Sequence, residues 1–233
     1  MKLAIMQPYL FPYIGYFQLI YAADKFVVFD DVYYINKGWI NRNNILINGV
    51  SNLFTVPLKE ASQNKLINEV YIYEDLKWRS KLLKTIELSY KKAPFFKEVF
   101  PLIEKAFNLN IEKIAAFNTE IIKIICSFLE IRTEIVSSSS IYNNSTKKGQ
   151  DRILDICLKE SASHYINPIG GVELYSNAIF QENKIELRFI KSKSITYKQF
   201  DNKFIPGLSI IDVLMFNKQS DILNMRGQYE LIN

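Results

Sequence analysis

The opening of the chain, MKLAIMQPYLFPYIGYFQLIYAADKFVVFDD, admits few folds. KLAIM suits a short buried strand, and a loop bounded by Pro8 and Pro12 follows it. YIGYFQLIYAA then repeats apolar residues at helical spacing, a pattern that would bury Ile14, Phe17, Leu19, Ile20 and Ala23. KFVVFD returns to a continuous apolar run that stops on Asp30 and Asp31. A strand, a helix and a second strand in so short a span call for a parallel pair joined by a crossover, and therefore for an α/β sheet covered by helices.

The remaining sequence keeps the alternation. Residues 42–57 read as two strands joined at Asn48-Gly49, the dipeptide that supplies positive φ in a tight hairpin. Helical patterns follow at 75–91, where Asp75 would cap, at 95–107 and at 110–129. RTEIVSS is a strand, the serines at 137–140 open a loop, and KKGQDRILDICLKESA is a helix with Ile153, Leu154, Ile156, Cys157 and Leu158 as its apolar stripe. HYINP is a strand, GGVELYSNAIF is helical, KIELRFIK is a strand, and FIPGLSIIDVLMFN is a loop entering a short helix. The expectation is one α/β domain over 1–233. It would hold a Rossmann-like parallel sheet flanked by helices, a β-hairpin at 42–57 and a helical insertion at about 75–130.

Composition narrows the function classes. With 48% hydrophobic residues the chain is of globular type, and no apolar run approaches the roughly 20 residues of a membrane helix. Residues 1–6 lack the parts of a signal peptide, so the expectation is a cytoplasmic protein without membrane insertion. Cys126 and Cys157 lie in apolar helical patterns and should be reduced and buried. The single histidine, His164, has no cysteine or second histidine to share a metal, so no metal centre is expected and His164 reads as a structural or edge residue. The net charge of +5 suits an acidic partner such as a nucleotide, phosphate or nucleic acid, although the lysines are scattered.

Ligands of parallel sheets bind beyond the carboxyl ends of the strands. That rule gathers Gln7, Pro8, Tyr13, Gly15 and Tyr16 after the first strand, then Asp30 and Asp31 after the second, and the 137–149 loop after a later one. Gly15 would let a phosphate approach the free amides of a helix start, or the prolines and tyrosines would simply fix the loop. Asp30 or Asp31 could deprotonate an amine or hold Mg2+, or instead cap a turn or pair with a lysine. In GWINRN, Arg42 offers a fork for a carboxylate or phosphate beside Asn41, Asn43 and Trp39. Lys147 and Lys148 flank a helix start expected at Ser145 or Thr146 and could hold a phosphate. Ser209, before the last apolar helix, completes the candidate substrate contacts.

The ordered runs Q-P-x-x-x-P-x-x-G-Y, A-D-x-F-V-x-x-D-D-V and G-W-x-N-R-N, followed by TVPL, YKKAPFF, YINPIGGVELY and FIPGLSIIDVLMFN, resemble the WbqC-like family along nearly the whole chain. The resemblance implies a transferase or ligase of surface polysaccharide (O-antigen, lipopolysaccharide) biosynthesis. It would form an amide, glycyl or other acyl, on the amine of a nucleotide-linked amino sugar. On that reading Asp30 or Asp31 takes the proton of the sugar ammonium, Arg42 with Asn41 binds the donor, Gln7 orients a carbonyl, and Tyr9, Tyr13, Tyr33 or Tyr34 stacks on base or sugar. The donor is free glycine with ATP and Mg2+, an aminoacyl-tRNA or an acyl thioester, and the cofactor and oligomeric state are left open.

A fainter likeness joins the first β-α-β unit to the nucleotidyltransferase-like Rossmann superfamily, in which pantothenate synthetase joins an amine to a carboxylate through an acyl adenylate. The H-x-G-H motif of that superfamily is replaced here by Tyr13-Ile14-Gly15-Tyr16, which keeps the glycine and loses both histidines. The alternative from a different class is a noncatalytic module that binds a nucleotide sugar or RNA through the same surface.

Overall fold

Both apolar runs of the opening become neighbouring strands. The computed structural model describes residues 1–75, 77–200 and 203–233, so residue 76, within the helix expected from 75, lies outside the described residues. β1 (Lys2–Met6) and β2 (Lys25–Val28) pair in parallel, with Leu3 opposite Lys25 and Met6 opposite Val28, and α1 (Ile14–Ala22) connects them. α1 is buried on almost every side, as expected of a helix whose sequence is apolar all round. Its one long polar side chain, Gln18, is fully buried and donates to the Met225 and Gln228 carbonyls at 2.7 and 3.1 Å.

The chain then leaves the sheet. β3 (Arg42–Ile47) and β4 (Val50–Thr55) form the expected hairpin, and Asn48 (φ 50°) and Gly49 (φ 77°) supply its two left-handed residues. β5 (Leu58–Lys59) and β6 (Tyr71–Ile72) make a short ribbon. Helices α2 (Lys77–Tyr90), α3 (Phe96–Phe107) and α4 (Ile114–Phe128) follow, and the Asp75 carboxylate accepts from the Lys77 amide at 3.1 Å. α4 begins later than 110 because residues 112 and 113 pair instead with the ribbon: the Ile72 amide donates to the Glu112 carbonyl, and Lys113 bridges to Tyr71.

Alternation resumes with β7 (Glu134–Val136), α5 (Gly149–Lys159), β8 (His164–Pro168), α6 (Asn177–Glu182) and β9 (Glu186–Ser192). α7 (Ile210–Phe216), α8 (Gln219–Met225) and β10 (Tyr229–Ile232) complete the chain. GGVELYSNAIF is not one helix: a 3-10 segment, Ile169–Leu174, precedes α6. A Cβ at Gly171 would lie 2.0 Å from Asn167 Nδ2, so the glycine permits a close approach there rather than extending a regular helix. Leu158 also leaves the expected α5 stripe, being half exposed, whereas Ile153, Ile156 and Cys157 are buried.

The six-stranded sheet has the order β10-β9-β8-β1-β2-β7, with β10 antiparallel and the other five parallel. Numbered along the chain, the parallel strands run 3-2-1-4-5, the doubly wound order, whose direction of winding reverses between β1 and β8. α5 and α6 cover one face through Ile153, Ile156, Cys157 and Phe180, and α1, α4, α7 and the hairpin pack over the other. Cys126 and Cys157 are free and buried. Among the described residues no helix is long and apolar enough to cross a membrane.

Candidate functional site

The loop after β1 is held by its own polar neighbours. Asn43 Nδ2 donates to the Leu10 and Phe11 carbonyls, each at 2.9 Å, and the Leu10 amide donates to the Trp39 carbonyl. Asn118 Nδ2, on α4, donates to the Pro8 and Ile40 carbonyls at 2.9 and 2.7 Å. Ser209 is fully buried at the start of α7, where its hydroxyl donates to the Phe11 carbonyl and accepts from the Ile211 amide. The opening loop, GWINRN and the FIPGLS segment therefore do meet.

They meet largely through main chain. Asn41 accepts from the Tyr34 hydroxyl and donates to the Val56 carbonyl, and Arg42 donates Nε to the Gly38 carbonyl at 3.1 Å and Nη2 to the Lys37 carbonyl. Tyr16 is buried and donates to the Gln7 carbonyl at 2.8 Å, with Tyr9 packed on its ring. At Gly15 an added Cβ would fall 2.3 Å from the Tyr13 ring and 2.8 Å from Ser192 Oγ, so those two side chains close over the first turn of α1. Tyr13, Tyr33 and Trp39 keep 45%, 64% and 44% of their surface exposed and remain accessible.

Asp30 and Asp31 part company after β2. Asp31 Oδ2 meets Arg152 Nη2 of α5 at 2.5 Å, and Arg152 Nη1 donates to the Asp31 carbonyl at 3.0 Å. Arg152 Nε donates to Asn144, and its guanidinium lies 4.9 Å from the Phe29 ring centre. This is a buried ion pair with its remaining donors matched. Among the described residues Asp30 accepts only from neutral donors, all on Oδ1: the Ser138 hydroxyl at 2.7 Å, the Ser139 amide at 3.1 Å and the Ser139 hydroxyl at 3.5 Å. Oδ2 accepts no hydrogen bond among the described residues. Burial, above all, and then the neighbouring Asp31 charge raise the Asp30 pKa, and the serine hydrogen bonds offset part of that rise.

Asp30 lines a cleft of about 310 Å3 with Asn68, Glu69, Lys113, Ala115, Ala116, Ser137 and Ser138. Ala115 and Ala116 lie in the first turn of α4, whose amides carry a partial positive charge. The cleft thus sets a carboxylate, an ammonium, hydroxyls and a helix start around one space. Of the residues expected from sequence to form the site, Asp30 and the start of the 137–149 loop, Ser137 and Ser138, line it. Lys147 and Lys148 lie on another surface, where Lys147 pairs with Asp155 at 2.5 Å. Lys147, Lys159 and Asn144 hold the Asp155 carboxyl well below its usual range. His164 sits at the opposite end of β8, 2.9 Å from Glu186. Among the described residues no group of three or more His, Cys, Asp or Glu is placed to hold a metal ion.

The WbqC-like protein family matches residues 7–223 of this chain, which begin just after β1 and include every residue of the framework and cleft described above. The chain belongs to the WbqC-like family. The uncharacterised protein Rv1507c of Mycobacterium tuberculosis is 28% identical to this WbqC-like chain over 225 residues, 93% of each sequence. No solved structure matches it.

Several residues of this WbqC-like site escaped the sequence reading. Asp212 is a lone polar residue in an apolar helical run, which is itself a sign of a buried partner, whereas Asn118 is masked by the polar Thr119 and Glu120 that follow it. Asp212 accepts from Tyr90, Tyr197 and Gln199 at 2.9, 2.7 and 2.6 Å, and desolvation raises its pKa. Arg152, Asn68 and Lys113 carried no local signal, because only the sheet topology brings them to Asp30 and Asp31.

Proposed function

We propose that this WbqC-like protein is an enzyme that joins an acyl or aminoacyl group to the amine of a nucleotide-linked amino sugar. Its family is associated with O-antigen biosynthesis. The observation that carries the proposal is Asp30, a carboxylate that lines a polar cleft, is anchored through one oxygen, accepts no hydrogen bond on the other among the described residues and is raised in pKa by burial. A sugar amine arrives as an ammonium and must lose a proton before it attacks a carbonyl, and a carboxylate with a raised pKa accepts that proton more readily than an exposed one. Asp31 and Arg152 act as positioning residues, since their pair fixes the chain beside Asp30. Lys113 and the first turn of α4 favour the negative charge of a diphosphate or of the oxyanion formed during transfer. Tyr33 and Trp39 offer exposed faces for base or sugar.

The test is to incubate the purified protein with nucleotide-linked amino sugars and, in separate arms, a free amino acid with ATP and Mg2+, an aminoacyl-tRNA, and an acyl thioester. Mass spectrometry of the sugar reads the result. An acyl mass increment that disappears with Asp30→Asn is expected. Ligand-induced thermal stabilisation without product in any arm would favour the binding-module reading instead.

A further inference from the structure

A second cleft, of about 570 Å3, opens where the β5–β6 ribbon faces the connection from α3 to α4. Four glutamates and three basic side chains line it, and most of that charge is spent internally. Lys59 pairs with Glu74 at 2.7 Å, Lys65 with Glu60 at 3.7 Å, and Glu69 accepts from the Leu66 amide at 2.9 Å. Arg79 and Glu112 remain.

Arg79 lies against the Trp78 and Phe117 rings, 5.2 and 6.0 Å from their centres, and donates Nη1 to the Leu109 carbonyl at 2.7 Å. Its Nε is buried without an acceptor, and among the described residues no carboxylate pairs with it. Aromatic stacking and the Leu109 bond hold the guanidinium in place, and among the described residues Nη2 makes no hydrogen bond. An unpaired arginine fixed in this way is suited to a planar carboxylate. Glu112 is exposed, makes no side-chain bond among the described residues, and lines the same cleft.

One unmatched cation and one unmatched anion in a shared cleft fit a ligand that carries both charges. We propose that this cleft binds a free α-amino acid, with its carboxylate on Arg79 and its ammonium on Glu112. The two clefts adjoin, since Glu69 lines both and Glu112 is followed by Lys113 of the Asp30 cleft. Assigning the bound amino acid as the acyl donor rests on the proposed function; the binding site does not. An aminoacyl-tRNA or a thioester has an esterified carboxyl group and offers Arg79 no charge, so the site selects the free amino acid.

NMR titration of the full chain with glycine, L-alanine and L-serine tests the site, with glycinamide, acetate and inorganic phosphate as probes that each lack one of the two opposite charges. Saturable binding of at least one amino acid is expected, at least tenfold weaker binding of the matched single-charge probes, and at least a tenfold loss in Arg79→Met and in Glu112→Gln. Absence of saturable binding, unchanged affinity in Glu112→Gln, or equal binding of phosphate overturns the proposal. Arg79→Lys, which keeps the charge and loses the fork, serves if Arg79→Met does not fold, and wild-type affinity there overturns the bidentate contact. Amino-acid binding without amide formation leaves the site standing and removes the reaction; amide formation at an unchanged amino-acid KM in Glu112→Gln removes the site and leaves the reaction.

Discussion

The opening framework and the Asp30 cleft sit at the same end of the sheet and use their polar side chains in opposite ways. In the framework, Asn41, Arg42, Asn43 and Ser209 are turned onto backbone carbonyls and amides, so the densest recognisable motif of the chain fixes a loop. In the cleft, Asp30, Lys113 and the start of α4 come from distant parts of the sequence and keep capacity for a partner. A hydrogen bond to a buried carbonyl removes a side chain from chemistry as surely as burial does. Function is better sought where donors and acceptors remain unmatched.

The contrast can be broken by substitution, beginning with the largest effect. Arg152→Ala strands the Asp31 charge in the interior and should lower stability by about 3–5 kcal/mol in chemical denaturation. Asp30→Asn should lower turnover about 100-fold or more while leaving the denaturation midpoint near that of the wild type, because the amide still accepts through Oδ1. Equal destabilisation by the two variants would place Asp30 in the framework. Asn43→Ala leaves the Leu10 and Phe11 carbonyls unmatched and should cost about 2 kcal/mol, with amino-acid binding unchanged.

The smallest effect is a pH dependence. Burial raises the folded pKa of Asp30 above its unfolded value, so the folded state binds the proton more tightly. The corresponding stability is present below the unfolded pKa and is lost as pH rises through the folded value. Asp30→Asn should therefore flatten the thermal midpoint against pH over the mildly acidic range. Turnover in the wild type should run the other way, rising as Asp30 ionises.

The sheet was legible because its strands are short apolar runs bounded by loops, and the Asn48-Gly49 turn because few other dipeptides adopt two left-handed conformations cheaply. The ribbon β5–β6 was not legible, since two-residue strands carry no periodicity. Arg42 shows the limit for sites: its fork and flanking asparagines are equally suited to a ligand and to the Lys37 and Gly38 carbonyls, and only the fold decides which lies within reach. Arg79 is the converse case. It stands among lysines in KWRSK as an apparent solvated charge, yet it lies against Trp78 and Phe117 and has no acidic partner among the described residues.

Gln18 ties the first helix to carbonyls more than two hundred residues later in the chain. The packing of the amino-terminal β-α-β unit is thereby coupled to residues 225–228, so a chain cut before Met225 would bury this donor without its acceptors and loosen the first helix.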